Sequence, residues 1–245
     1  MRTPLQWIRS LIFVVQMYVA IVVIMLAYTP LALFDRNASL RWMQVFARWV
    51  RFSAKWIVGL ETEVRGEVPT GAVLIASKHQ SILDATILVS CLPAARFIMK
   101  KQLAWIPLAG WHGLRAGFVP VDRGKRGNAI KKMLALVAAG ASKPGQLIIF
   151  PQGTRTAAGA HLPYKKGTAA LYAELGQPCI PVAANVGVFW PRHGIYRKPG
   201  VAIIEFLPAI APGLSTEVFM QTLETAIESN SNRLMAEAGF VMKKG

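Results

Sequence analysis

An uncharged apolar segment near the beginning of the chain restricts where this protein can reside. The range Ser10–Phe34 contains no charged side chain, and it exceeds the ~18 residues at which an apolar helix becomes able to meet or cross a membrane. A secretory signal peptide could also place Arg2 and Arg9 before an apolar run, but no A-x-A-like cleavage site follows this one. Because Pro30 lacks a backbone N–H, we expect the helix to end or kink near Thr29. The segment therefore predicts a helix in contact with lipid.

A second helix is predicted from Ser39, as its N-cap, to Gly59, as the residue after its last turn. On a helical projection, four basic residues share one arc and four aromatic residues lie beside it: Arg41, Arg48, Arg51 and Lys55, with Trp42, Phe46, Trp49 and Trp56. This pattern is typical of a helix in the membrane–water interface, although a solvated charged face over a core-packed aromatic stripe is the alternative. We therefore predict a membrane-embedded two-helix anchor over residues 1–60 and an α/β domain over residues 61–245.

The composition supports a membrane surface and excludes several classes of protein. The chain has 28 basic and 12 acidic residues, a net charge of +16, and 53% hydrophobic residues. It is too apolar for intrinsic disorder, and its charge favours polyanionic partners. The basic residues are spread through apolar segments, which argues against nucleic-acid binding. Cys91 and Cys179 stand apart without a CxxC motif, so neither a disulfide framework nor a zinc site of the usual spacing is expected.

After residue 61 the pattern changes to short apolar runs that alternate with helical segments. The runs, bounded by Gly or Pro, predict strands at Gly71–Ser77, Arg96–Lys100, Gly117–Arg123, Gln146–Phe150, Cys179–Val186 and Val201–Leu207. Helices are predicted at Ile82–Ser90, Lys125–Ala141, Gly167–Gly176 and Ser215–Ala238. This order indicates an α/β fold with a largely parallel sheet covered by helices on both faces. Ligands of such sheets bind at the carboxyl ends of the strands.

The first polar strand end is the stretch Ser77–Asp84. His79 and Asp84 are five positions apart, which on one continuous helix would place them roughly 140° out of phase. If His79 lies in the turn before the helix, its imidazole can fold back onto the Asp84 carboxylate. That contact would fix one tautomer and leave the other nitrogen as a base. A helix-capping His beside an unrelated surface Asp is the alternative.

The second polar strand end is Phe150–Arg155, followed by Tyr164–Thr168. A strand that runs into Gly, Thr and Arg, followed by two lysines before a helix, predicts an anion cradle of backbone N–H groups and cationic side chains. An ordinary loop with solvated cations is the alternative.

Taken together with two intervening segments, these ends form an ordered set of motifs. The set is His79-x4-Asp84; Lys101 to Gly110 with Val121-Asp122-Arg123; Phe150 to Arg155; and Ile180-Pro181-Val182. It resembles the glycerolipid acyltransferase family typified by 1-acyl-sn-glycerol-3-phosphate acyltransferase, over about Val64 to Glu205. The resemblance implies a glycerol-phosphate acyltransferase-like fold preceded by membrane-bound helices.

The resemblance also implies an activity and a set of site residues. A fatty acyl group would pass from a thioester, acyl-CoA or acyl carrier protein, to the sn-2 hydroxyl of lysophosphatidic acid, giving phosphatidic acid without a covalent enzyme intermediate. His79 would be the general base and Asp84 its orienter. The residues expected to bind substrate are Lys101, Arg123, Gln152, Gly153, Thr154, Arg155 and Lys165. No metal or other cofactor is expected, and the partners would be membrane lipids, the lysophospholipid acceptor and the thioester donor, at the cytoplasmic face of a bacterial inner membrane.

The sequence departs from the family at Gln152, where Glu is usual, and Gln102 stands where the second motif often has Glu. An amide keeps the size and one acceptor oxygen but not the charge, so the pocket is expected to be more positive. Another lysolipid acceptor, such as lyso-ornithine lipid, therefore remains an alternative. A membrane-attached anion binder without catalysis is a further one, but it would not need His79 and Asp84.

The sequence allows the first apolar segment either to cross the membrane or to remain in one leaflet. Basic residues after the first segment outnumber those before it, which places the α/β domain in the cytoplasm if the segment crosses the membrane. Alternatively, both N-terminal helices form a hairpin embedded in one leaflet, and the resemblance favours this arrangement.

Overall fold

The computed structural model describes residues 3–121, 134–135 and 145–241. Within this part of the chain, seven strands form one sheet in the order β1-β7-β6-β2-β5-β3-β4. Their bounds are β1 Leu60–Arg65, β2 Val73–Ser77, β3 Ala95–Lys100, β4 Val119–Val121, β5 Gln146–Ile149, β6 Cys179–Ala184 and β7 Gly200–Phe206. All neighbouring strands are parallel except β6 and β7, which are antiparallel. The predicted α/β fold with a largely parallel sheet is confirmed.

Helices cover both faces of this sheet. They are α1 Pro4–Phe34, α2 Ala38–Ser53, α3 Ile82–Cys91, α4 Ala109–Arg115, α5 Gly167–Leu175 and α6 Thr216–Glu237. A π-helical turn at Ala54–Val58 continues α2, and a 3₁₀ turn at Lys101–Trp105 follows β3. The predicted strands correspond to β2 to β7, with ends that differ by one or two residues, except that the predicted end at Arg123 lies outside the described residues. The predicted helix Lys125–Ala141 falls almost entirely outside the described residues.

The central strand β2 illustrates why the strands are apolar along their whole length. Leu74 and Ala76 pack on one face with Phe219 of α6, whereas Ile75 packs on the other face with Leu83 of α3. Because helices bury both faces, no polar residue alternates with the apolar ones. Burying each large aliphatic side chain contributes about 1.5–3 kcal/mol.

α1 is, among the described residues, the one helix long and apolar enough to cross a membrane. It has 31 residues, and only 11% of its most apolar window is buried. We expected Pro30 to end or kink this helix near Thr29, and an end there is wrong because the helix continues to Phe34. Proline removes one backbone bond, whereas the next turn is closed by the N–H of Asp35 on the carbonyl of Leu31 at 2.9 Å.

α2 differs from the prediction at its start and on its basic face. Asn37 occupies the N-cap position, and Ser39 lies buried inside the helix instead. The end at Gly59 is confirmed, because its φ of 69° is left-handed. Arg51 does not face lipid headgroups: its guanidinium donates to the hydroxyls of Thr62 (2.7 Å) and Ser90 (2.8 Å), and burial lowers its pKa.

Candidate active site

The first polar strand end forms a helix cap. Ser81 is the N-cap of α3, and its hydroxyl accepts a hydrogen bond from the N–H of Leu83 at 3.3 Å. Asp84, three residues later, accepts from the N–H of Ser81 in return, which completes a capping box. The chain before this cap is not helical, so His79 is free to turn back toward Asp84.

The His79 imidazole contacts Asp84, which is one of the two arrangements that the spacing left open. Nδ1 of His79 lies 3.0 Å from Oδ2 of Asp84, and the same oxygen accepts from the N–H groups of Gln80 (2.6 Å) and Ser81 (2.9 Å). The Asp84 side chain is fully buried. The carboxylate side chain offers Nδ1 an acceptor, so the contact favours the tautomer with the proton on Nδ1 and leaves Nε2 free for a further contact.

The second polar strand end lies directly against this pair. The His79 ring stacks on the ring of Phe150, with 3.8 Å between their centroids. The carbonyl of His79 accepts a hydrogen bond from the N–H of Thr156 at 2.7 Å. The strand β5 that carries this loop is the sheet neighbour of β2, so the two motifs meet at one edge of the sheet.

In the loop after β5, cationic side chains lie against the backbone of the loop. Gly153 has a left-handed φ of 70°, and a Cβ there would lie 2.7 Å from Nζ of Lys165, so the Lys165 side chain covers this glycine. The N–H of Lys165 donates to the carbonyl of Pro151 at 2.9 Å. Arg155 and Arg192 each donate from Nη1 to the carbonyl of the other at 3.3 Å. In the described part of the chain, neither Arg155 nor Lys165 forms an ion pair with a carboxylate.

Gln152 is buried without hydrogen-bond partners. Its side chain is only 2% exposed, and among the described residues neither the oxygen nor the nitrogen of its amide has a partner. The hydroxyls of Thr156 and Thr168 are also buried and unpaired there. Buried polar groups in proteins are nearly always paired, so this loop holds hydrogen-bonding capacity that the described residues do not use.

The remaining predicted binding residues have different positions. Lys101 is exposed and directly follows β3, which neighbours β5 in the sheet. Thr154 is half-buried in the loop after β5. Arg123 lies outside the described residues.

Sequence reasoning missed a buried ion pair next to the histidine. Lys78 is almost fully buried, and its Nζ lies 2.6 and 2.7 Å from the two carboxylate oxygens of Glu228 on α6. The hydroxyl of Tyr164 donates to the same carboxylate at 2.8 Å, and its pKa is raised by burial and by Glu228. This network links the residue before His79 to the C-terminal helix and to the loop before α5. Lys78 stands between a strand and His79 in the sequence, but no local pattern indicates its partner Glu228.

The cysteines do not resemble nucleophiles. Burial raises the pKa of Cys91 to about 11 and that of Cys179 to about 12, so both remain thiols at neutral pH.

Comparisons with known proteins agree with the motifs. A family model described as Acyltransferase matches residues 61–185. The 1-acyl-sn-glycerol-3-phosphate acyltransferase of Pseudomonas aeruginosa is 29% identical over 175 residues, which are 69% of this chain and 68% of that protein. The mouse 1-acyl-sn-glycerol-3-phosphate acyltransferase alpha is 29% identical over 170 residues, 67% of this chain and 60% of that protein.

A solved structure shares the fold over nearly the whole chain. The crystal structure of PlsC from Thermotoga maritima, described as a 1-acyl-sn-glycerophosphate (LPA) acyltransferase, matches with a TM-score of 0.76 at 20% sequence identity. The match covers 94% of this chain and 98% of that one. The resemblance that the motifs indicated is confirmed, and this chain belongs to the acyltransferase family.

Proposed function

We propose that this acyltransferase transfers a fatty acyl group from a thioester donor to the sn-2 hydroxyl of lysophosphatidic acid. The donor is either acyl-CoA or an acyl group carried on acyl carrier protein. The observation that carries the proposal is the hydrogen bond between Nδ1 of His79 and the buried Asp84, at the carboxyl end of the central strand. The cationic loop after β5 lies against the same histidine. A base beside an anion site suits an acceptor that carries both a hydroxyl and a phosphate.

The proposed reaction is one direct transfer. Nε2 of His79 takes the proton of the acceptor hydroxyl while the oxygen of that hydroxyl attacks the carbonyl carbon of the thioester. The C–O bond forms, the C–S bond breaks, and the leaving thiolate receives the proton from the imidazolium. Asp84 holds the reactive tautomer and stabilises the imidazolium charge. Proton transfer by a positioned base contributes roughly 10²–10⁴-fold to such a rate.

The proposed phosphate site is the loop after β5. Arg155 and Lys165 have no carboxylate partner among the described residues, so both are available for charge-assisted hydrogen bonds to an anion. Gly153 has a left-handed φ of 70°, which glycine adopts without strain, and this turn of the loop lies directly beneath the Lys165 side chain. We also assign Thr154, Lys101 and Arg123 to this site, as the motifs imply.

The neutral amide of Gln152 also suits a second acceptor, a lysolipid with a different headgroup. Its buried, unpaired amide can donate and accept hydrogen bonds but cannot carry charge. A lysolipid with a different headgroup, such as lyso-ornithine lipid, would meet a neutral amide where a relative with Glu presents a carboxylate. The exposed apolar α1 supports a membrane location for either acceptor, and we propose the cytoplasmic face of a bacterial inner membrane, where thioester donors are made.

A substrate panel tests the proposal. Purified full-length protein is assayed in lipid vesicles with lysophosphatidic acid, other lysophospholipids and lyso-ornithine lipid, each with acyl-CoA and acyl carrier protein donors. We expect the fastest transfer to lysophosphatidic acid, and a rate lower by roughly 10²–10⁴-fold with His79→Ala. His161→Ala is the matched control, since His161 is an exposed histidine that pairs with Glu224 at the surface. Faster transfer to another lysolipid would reject the acceptor, and full activity of His79→Ala would reject the base.

A further inference from the structure

The segment between β3 and α4 exposes apolar side chains that the proposed reaction does not use. Trp105 is 78% exposed and Ile106 47%, and three more apolar residues nearby are also exposed. We call this set the β3–α4 apolar patch: Leu103, Trp105, Ile106, Leu108 and Leu114. Large exposed apolar patches on proteins mark contacts with membranes or with other proteins.

The backbone holds this patch in one conformation. Leu108 has φ 59° and ψ −53°, and the N–H of Ala109 bonds to the carbonyl of Pro107 at 2.6 Å, which is a strained γ-turn. A Cβ on Gly110 would lie 2.2 Å from the carbonyl oxygen of Ala104, so only glycine permits this close turn. Such strain persists only where the surrounding structure determines it, so the exposed side chains are presented by a built turn.

Hydrogen bonds fasten the patch to the end of α1. His112, buried on α4, lies 3.1 Å from the hydroxyl of Thr29 through Nε2 and 3.0 Å from the hydroxyl of Ser39 through Nδ1. Arg115 donates to the carbonyl of Leu33 at 3.1 Å. At this end of α1 the apolar side chains are again exposed, up to 91% for Phe34. The patch and the apolar end of α1 are therefore neighbours in the fold.

The charges around this surface are mainly basic, and the acidic residue at the end of α1, Asp35, is paired with Arg41. The stretch from Lys100 to Arg115 contains no acidic residue, and Lys100 and Lys101 are both exposed at its start. Arg36 is exposed just beyond the end of α1. An apolar surface bordered by cations is complementary to a bilayer with anionic headgroups.

We propose that the β3–α4 apolar patch inserts into the same bilayer leaflet that α1 contacts, with Lys100 and Lys101 at the level of the anionic headgroups. The protein then meets the membrane at two connected places, the N-terminal helices and the carboxyl end of β3. Since β3 neighbours β5 in the sheet, the patch sets the edge that carries the active site against the lipid surface. An acceptor could then enter from the leaflet. This contact does not depend on which lysolipid the enzyme uses.

A depth measurement tests the insertion directly. Ile106→Cys and, as a matched control, Val218→Cys each receive an environment-sensitive fluorophore in the full-length protein. Val218 is an apolar residue on α6 with a similar exposure of 50%, and α1 does not contact α6 through any hydrogen bond among the described residues. Wild-type protein, whose Cys91 and Cys179 are partly or fully buried, gives the background labelling.

The labelled proteins are reconstituted in vesicles of equal parts phosphatidylglycerol and phosphatidylethanolamine. We expect lipids with brominated acyl chains to quench the label at 106, and aqueous iodide to quench only the label at 218. If iodide reaches both labels equally, the patch does not insert and the proposal is wrong. If the label at 106 is shielded only after acyl carrier protein is added, the patch is a protein-docking surface and the proposal is also wrong.

A kinetic comparison tests the consequence for catalysis. The double variant Trp105→Ala, Ile106→Ser should lower the rate with a long-chain lysolipid in vesicles on the order of tenfold, because the active-site edge is no longer held at the lipid surface. Transfer to a short-chain, water-dispersed lysolipid should change less than about twofold, since that acceptor does not depend on membrane contact. Val218→Ser should change neither rate. Equal losses with both acceptors would show that the turn itself has collapsed and would overturn this consequence. The depth measurement needs no turnover, so it stands or fails separately from the proposed function.

Discussion

The imidazole of His79 stacks on the ring of Phe150, with an angle of 15° between the two planes. Asp84 holds the ring at Nδ1, and Phe150 supports one of its faces. Two motifs that lie far apart in the sequence thus orient one base. Each contact restrains a different rotation of the side chain, so their loss should affect catalysis in different degrees.

Replacing Phe150 by Ala should mainly lower kcat. The stacked ring contributes about 0.5–1.5 kcal/mol beyond its buried area, so we expect kcat to fall by about tenfold or somewhat less. The acceptor KM should change little, because Phe150 supports the base and not the phosphate. Phe150→Tyr keeps the ring and should retain most of the activity. Steady-state kinetics of the two variants check this, and a loss confined to KM would contradict it.

Replacing Asp84 by Asn should be far more damaging. The carboxylate accepts three N–H donors, and an amide must turn its own NH₂ group toward one of them. The favoured imidazole tautomer is then lost, and we expect kcat to fall by roughly 10²–10⁴-fold. Asp35→Asn is the control, because Asp35 is a surface carboxylate that pairs with Arg41. Circular dichroism must show that the Asp84 variant is folded, since the same residue caps α3.

Replacing Arg155 by Ala should weaken the binding of the acceptor far more than the binding of the thioester donor. Loss of one charged hydrogen bond should raise the activation free energy that determines kcat/KM for the acceptor by about 1.5–3 kcal/mol. Arg192→Ala is the matched control, because it removes one of the two reciprocal bonds to the backbone but leaves the Arg155 guanidinium in place. If both variants lose activity toward both substrates equally, the residue supports the loop and does not bind phosphate.

Local sequence patterns predicted those elements that helices bury on both sides. β2, β5 and β6 are apolar except at Ser77 and Gln146, so their runs are visible without knowledge of the fold. β1 was missed because its sequence LETEVR has glutamates at alternate positions and so does not form an apolar run. The strand lies at the edge of the sheet and pairs on one side only, with β7. α4 was missed because it has seven residues, two of them glycine, and is held by distant contacts to α1 and α2.

The same distinction holds at the active site. The contact between His79 and Asp84 could be foreseen as one of two arrangements, because a short turn and a helix cap determine it. The ion pair of Lys78 with Glu228 joins residues 150 positions apart, and no local pattern indicates it. The unpaired amide of Gln152 is likewise a property of the folded loop, since the sequence only shows the residue type.

Acid should destabilise the contact between α4 and α1. Burial, and then the charge of Arg115, lower the pKa of His112 below its ordinary value. The unfolded chain therefore binds a proton that the folded one resists, so stability is lost as the pH falls through about 6.5. The slope approaches about 1.4 kcal/mol per pH unit for one proton. The midpoint of thermal unfolding should fall between pH 7 and 5.5 in the wild type and vary less in His112→Gln. An equal slope in both would assign the effect to other groups.

α1 contacts the α/β domain near both of its ends. The amide of Gln6 donates to the carbonyls of Val58 and Arg197 at 2.9 Å, and Phe13 packs edge-on against Trp190. At the other end, Thr29 lies against His112 of α4. A helix of 31 residues extends about 46 Å. If it crossed the bilayer, one of its ends would lie on the far side, away from the domain that both ends contact. The geometry therefore favours a helix that lies within one leaflet.

Relative labelling of two cysteines tests this arrangement. Thr3→Cys reports the beginning of α1, and Glu217→Cys reports an exposed position on α6 of the α/β domain. We expect a membrane-impermeant thiol reagent to label both positions from the same side, in inverted vesicles but not in intact spheroplasts. Labelling from opposite sides would show that α1 crosses the membrane. Deleting residues 1–59 is a weaker test, because Phe13, Val50 and Val58 are part of the buried core and their loss would unfold the domain as well as detach it.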